Sequence, residues 1–159
     1  MFHDATTGTI CLTLYDLAQR YVGISEIGGQ LDNPLILAML KLDNTWPDHD
    51  EVPWCSGFVN WLAWHLRLPR SKSLLARSWL GVGRPVALHE ARPQNDVVVL
   101  KRGGGDQPGA EDTTAPGHVG MFAGTDVANV LILGGNQGNQ VSIAPYPIER
   151  ILGIRRLLG

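Results

Sequence analysis

Residues 53–66 read PWCSGFVNWLAWHL. Phe58, Val59, Leu62, Ala63 and Leu66 recur at a helical period, and Trp61 and Trp64 add apolar bulk on other faces. A helix that is apolar nearly all round belongs in the middle of a domain. The polar, twice proline-broken stretch before it (NTWPDHDEVP, 44–53) is a loop that delivers the chain to Trp54 and Cys55. Cys55 therefore falls at the N-terminal end of the buried helix, where unsatisfied backbone N–H groups carry partial positive charge. That position favours the thiolate and leaves N–H groups free for a developing oxyanion.

Upstream of this helix the sequence is helical. Leu14, Leu17, Ala18 and Tyr21 form an amphipathic stripe that Gly23 would terminate. Asn33 and Pro34 then supply an N-cap and a first helical residue for a second apolar face through Ile36, Met39 and Leu40. Downstream, Ser71 or Ser73 caps a shorter helix with Leu74, Leu75 and Trp79 inward, closed by GVG. After Pro93 the texture changes to short runs rich in β-branched residues: DVVVLK, HVGMFAG, NVLILGG, QVSIAPY and ILGIRRLL. Helices followed by strands predict an α+β fold with an antiparallel sheet of about five strands. The loop RGGGDQPGAEDTTAPG (102–117) reads either as a solvated hairpin connection or as the lip of a cleft.

The 159 residues suit one domain, 1–159, with a single core. A hydrophobic content of 44% and a charged content of 18% read as soluble and globular. The formal charge of −2 provides no footprint for nucleic acid or anionic lipid, and Arg155-Arg156 is too small a basic cluster for phosphate-driven binding. No apolar stretch approaches the ~20 residues that span a bilayer. The first residues lack the marks of a signal peptide, so synthesis in the cytoplasm is expected, with any action elsewhere depending on delivery. The two cysteines, Cys11 and Cys55, read as free thiols rather than as a disulfide framework, with Cys11 in a packing role at the edge of the first helix. RGGGDQ and GVGRP lack the lysine and the βαβ context of a phosphate cradle.

A thiolate nucleophile needs a base, and the chain has five histidines. His3 lies in the terminus, His49 in the polar loop and His89 in an irregular stretch between prolines. His65 is on the same helix as Cys55, roughly 15 Å further along at 1.5 Å per residue. His118 differs, because APGHVGMFAG places it at the start of a strand among small residues that leave its ring accessible. A third group should orient the imidazole. In a hairpin of 118–124 with 129–135, the end of the second strand returns beside His118, so Asn136 is the expected orienter. The competing reading makes Asn136 an ordinary turn residue that tolerates positive φ. Trp46, Trp54 and Gln137 are weaker candidates for a substrate groove, the tryptophans being otherwise core residues.

Cysteine at a helix start, histidine opening a later strand and a polar residue on the next strand are similar to the papain-like peptidoglycan hydrolases, the NlpC-type and CHAP groups. The resemblance covers about Leu14 to Leu157, through EIGGQLDNPLIL, PWCSGFVNW, ARSWLGVG, DVVVLKRG, GHVGMFAG and LGGNQGNQVSIAPYP. It is nearest to a small bacterial and phage subgroup. The resemblance implies a papain-like fold and hydrolysis of an amide bond in the peptide stem of bacterial peptidoglycan. Cys55 would be the nucleophile, His118 the base and then acid, and Asn136 the orienter, with no metal or organic cofactor. One departure is that many NlpC-type members carry a second histidine, and many CHAP members an acid, where Asn136 stands.

The expected setting is a phage or prophage endolysin carried to the cell wall by a holin. The alternatives are an exported antibacterial toxin with an immunity protein, a papain-like acyltransferase or protein peptidase, and a non-catalytic module in which Cys55 is a small core hydrophobe.

Overall fold

The change of texture at Pro93 divides the molecule into its two layers. In the computed structural model, which describes residues 1–4, 8–28, 32–43 and 53–158, helices lie on the N-terminal side of that point and most of a sheet beyond it. Helix α1 (Leu14–Gln19) opens on a capping box. The Thr13 hydroxyl accepts from the Asp16 N–H, and the Asp16 carboxylate accepts from the Thr13 N–H. Helix α2 (Pro34–Lys41) begins as expected, with the Asn33 side chain accepting from the Leu35 N–H and Pro34 in the first turn. Helix α3 (Cys55–His65) is the buried central helix. Phe58, Val59 and Leu62 on it are wholly buried, in one cluster with Val97, Val99, Val119, Met121 and Leu133.

The strands are β1 (Phe2–Asp4), β2 (Thr9–Cys11), β3 (Arg84–Pro85), β4 (Asp96–Lys101), β5 (Gly117–Thr125), β6 (Asn129–Gly134), β7 (Ser142–Pro147) and β8 (Ile151–Arg156). Six of them form one antiparallel sheet in the order β3-β8-β4-β5-β6-β7. The five expected strands are its β4 to β8. The short edge strand β3 and the separate β1–β2 hairpin are additions, too brief to show a period. His3 is accordingly paired with Ile10 in that hairpin rather than lying in a loose end.

The unbroken apolar run of β4 reflects burial on both faces. Val97 and Val99 face the helices, while Val98 and Leu100 join Phe122, Val130, Ile132 and Ile154 in a second cluster. Strand β7 alternates partly buried with exposed residues, and Pro145 and Pro147 sit in it because it is an edge. Arg156 forks onto both oxygens of the buried Asp96 carboxylate at 2.7 Å each, tying β8 to β4. Arg155 donates to the Val82 and Gly83 carbonyls, so both members of the small basic cluster serve the fold.

Two local expectations are corrected. The segment after Ser73 is a 3-10 helix, Ala76–Gly81, without a side-chain cap, and Leu75 is exposed while Trp79 is buried. Ser73 instead turns its carbonyl to the Ser56 hydroxyl (2.6 Å) and the Asn60 amide (3.1 Å), and Trp79 Nε1 donates to Ser56 Oγ at 2.9 Å. This satisfied buried network locks the first turns of α3 against the 71–79 segment. Cys11 lies in β2 as an exposed free thiol, not packed at the edge of α1. Among the described residues no helix is long and apolar enough to cross a membrane.

Candidate active site

Cys55 is the first residue of α3, and Trp54 before it adds no side-chain cap. The first-turn N–H groups therefore have no acceptor within the helix. The side chain of Trp54 is fixed elsewhere: its ring is fully buried, stands edge-on to Phe58 and donates Nε1–H to Glu26 Oε1 at 2.7 Å. Gly135 permits this, since a Cβ there would sit 2.5 Å from the Trp54 ring. Trp54 is thus an anchor for the helix start, which corrects its candidacy for the groove. Trp46 and His49 lie outside the described residues.

The sheet brings His118 to this helix end. It is the second residue of β5, opposite Leu100 of β4, and is 5% exposed. The His118 ring and the Val119 N–H both act on the Cys55 sulfur, and both favour its charged form. The expected pairing of helix-start cysteine and strand-start histidine is therefore present in the fold. Neither His65 nor His89 takes part; both are exposed, with His65 packed edge-on against Trp61 and Trp64.

The third position is corrected. The residue that meets His118 is Gln137, whose Oε1 lies 2.9 Å from His118 Nε2. Asn136 has φ +58 and holds the left-handed turn position that its side chain tolerates, as the competing reading of GGNQGN has it. That turn directs the following residue inward, and Gln137 is 5% exposed. Segment 23–26 steadies the turn from outside, through bonds from Gly23 and Glu26 N–H to the Val141 and Asn139 carbonyls. Gln137 is accordingly placed on the ring and not in a substrate groove. The sequence holds a signal for this: Asn136, Gly138 and Asn139 take the positive-φ positions, leaving Gln137 without a turn role.

The amide of Gln137 fixes the chemistry of the ring. Its Nε2 donates to the Ile132 carbonyl at 3.1 Å and the Ser142 carbonyl at 2.7 Å, and carbonyls can only accept. The oxygen must then face His118, so His118 Nε2 must be the donor and carry the hydrogen. Nδ1 is left for the sulfur. A carboxylate at this position would set its oxygens against two main-chain carbonyls, which is a physical reason for an amide here. Gly134 makes room for the contact, since a Cβ there would stand 2.8 Å from Gln137 Oε1 and 3.4 Å from His118 Nε2. Tyr146 of β7 stacks on the imidazole with centroids 5.2 Å apart.

Burial alone would push the Cys55 thiol up, but the hydrogen bond and charge of His118, the Val119 N–H and the charge of Arg102 together hold it below its ordinary value. Burial likewise opposes charge on His118, yet the sulfur and Gln137 hold its pKa above the ordinary value. The pair is thereby biased toward thiolate and imidazolium.

A cavity of about 460 Å3 opens onto Cys55. Pro53, Leu74, Leu75 and Ala76 form one side, and Arg102 with residues 114–117 the other. The glycine-rich loop is thus the lip of a cleft. Arg77 holds it there: this fully buried guanidinium donates to the carbonyls of Pro108, Gly109, Asp112 and Pro116. Sequence reading gave no role to Arg77, Tyr146 or Arg102, although each lies in a stretch that carries the resemblance, because local pattern does not show what a side chain meets across the fold. Among the described residues no cluster of His, Cys, Asp and Glu could hold a metal ion.

No protein-family model and no curated protein matches the sequence. The fold is similar to the solved structure of NlpC1 from Trichomonas vaginalis, with a TM-score of 0.52 at 18% identity, covering 92% of this chain and 44% of that one. The chain thus spans less than half the length of that protein, and what the likeness establishes is architecture: an NlpC-like, papain-like α+β fold.

Proposed function

We propose that the chain is a cysteine hydrolase that cleaves an amide bond in the peptide stem of bacterial peptidoglycan. The observation that carries the chemistry is the grouping of Cys55, His118 and Gln137, with Cys55 lining an open cleft. The peptidoglycan substrate rests on the resemblance in PWCSGFVNW and GHVGMFAG. The thiolate attacks the amide carbonyl, and the oxyanion is met by the free N–H at Cys55. His118 Nδ1 passes its proton to the departing amine, the C–N bond breaks and a thioester remains. Water then gives a proton to Nδ1, attacks the thioester and releases the acid, returning the thiolate–imidazolium pair. Gln137 keeps Nε2–H engaged throughout, so the ring presents Nδ1 at each step.

The test is digestion of purified murein followed by mass spectrometry. The intact protein should create one new amine and one new carboxyl terminus per cut, and the Cys55→Ser variant, with its fold confirmed by circular dichroism, should create none. Turnover by the folded variant overturns the mechanism. Turnover of other amides with intact murein overturns the substrate. The setting carried with this reading is a phage or prophage endolysin, made in the cytoplasm and delivered to the cell wall. Co-expression with a holin should lyse the host only when Cys55 is present.

A further inference from the structure

Among the described residues, the cleft is lined mostly by apolar side chains, with one cation. Arg102 follows the last residue of β4, whose Lys101 pairs with Gly117 just before His118, so it lies beside the catalytic end of the sheet. It lines the same cavity as Cys55, among Leu74, Leu75, Ala115 and Pro116. Among the described residues it has no carboxylate partner, unlike Arg156 on Asp96 and Arg70 on Asp43. Two acids of its own loop are engaged locally: Asp112 accepts from Thr114 and Ala115, and Glu111 from the Gly109 N–H. An exposed guanidinium on a mostly apolar pocket, with no acid among the described residues that line it, has the form of a receptor for a planar anion.

We infer that Arg102 anchors a carboxylate-binding subsite beside the nucleophile, and that the substrate carries a free carboxylate close to the amide that is cut. This rests on the reading of Cys55 as nucleophile and adds a chemical class to the proposed substrate. The apolar wall of Leu74, Leu75 and Pro116 takes the aliphatic part of the same residue.

The test compares alkylation of Cys55 by iodoacetate and iodoacetamide, reagents of similar size that differ in a carboxylate. Both form the same carbon–sulfur bond and expel iodide, so the ratio of their rates cancels changes in the thiol's own reactivity. Arg102→Gln should lower the iodoacetate-to-iodoacetamide ratio about tenfold, as expected for loss of a charge-assisted bond. Arg102→Lys should retain part of it, and added salt should lower the ratio in the intact protein. An equal ratio in the intact protein and Arg102→Gln overturns the subsite, even if iodoacetamide reacts rapidly. Slow reaction with iodoacetamide, no faster than a free cysteine, overturns the nucleophile reading instead. With peptide substrates, converting the neighbouring carboxylate to its carboxamide should raise KM for the intact protein and leave it unchanged for Arg102→Gln; the same rise in both overturns the assignment.

Discussion

The two ends of α3 carry similar residues and have different properties. At one end Trp54 and Cys55 are buried; at the other Trp64 and His65 are exposed. Each end thus pairs a tryptophan with a side chain capable of nucleophilic or base chemistry. At the first, the start of β5 supplies an imidazole and an N–H to the sulfur, and the 102–117 loop leaves a cavity above it. At the second, His65 meets only the rings of Trp61 and Trp64 among the aromatic contacts. Residue type is shared. Open space is shared as well, since a cavity of about 420 Å3 borders His65, so the imidazole and the N–H that act on Cys55 make the difference.

The largest effect should come from setting the two histidines against each other. His118→Ala removes the base and the positive partner of the thiolate, and should lower kcat on murein by about a thousandfold. His65→Ala should leave turnover within about twofold, and a large loss there would place the chemistry at the other end of the helix. The measurement is steady-state release of new amine termini.

A second contrast lies within one turn. Gln137→Ala removes the acceptor for His118 Nε2–H and should lower kcat about ten- to a hundredfold. Asn136→Gly preserves the positive φ of the turn and should be nearly silent. The pH profile sharpens this. Because the Cys55 thiol is held low, activity rises at a lower pH than a free thiol would allow. Because the His118 pKa is held high, the protonated ring survives to a higher pH before activity falls. Loss of the Gln137 bond lowers the His118 value, so the alkaline limb should move to lower pH while the acidic limb shifts less. An unmoved alkaline limb would separate Gln137 from the ring's protonation.

The smallest expected effect tests the space between these groups. Gly134→Ala introduces a Cβ at 2.8 Å from Gln137 Oε1, which must retreat. Turnover should fall about threefold to tenfold with the fold retained, as expected for a bond weakened rather than deleted. Gly138→Ala, on the same turn but in open space, strains the backbone without touching the ring. It should cost stability, about 1 kcal/mol by thermal unfolding, and leave the pH profile unchanged.

Much of this was legible in the chain. The helical period around Phe58 and Leu62, the caps at Asn33 and Pro34, and the strand runs after Pro93 follow from local patterning, which side-chain burial enforces residue by residue. Cys55 at a helix start and His118 at a strand start were read from the same local signals. The position of Gln137 was not, because φ preferences in GGNQGN say which residues turn the chain and leave open what the turned side chain meets. Arg77 was equally hidden: an arginine in ARSWLG gives no sign that it will be buried whole beneath a distant loop.

The sequence by itself determined which segments coil and which extend, and it marked Cys55 and His118 as the pair to look for. Only the tertiary structure decided that Gln137 rather than Asn136 faces the His118 ring, that Trp54 anchors the helix rather than lining the cleft, and that Arg102 lines the same cavity as Cys55. Local structure depends on neighbours a few residues away, whereas hydrogen bonds such as that between His118 and Gln137 join residues brought together by the sheet register.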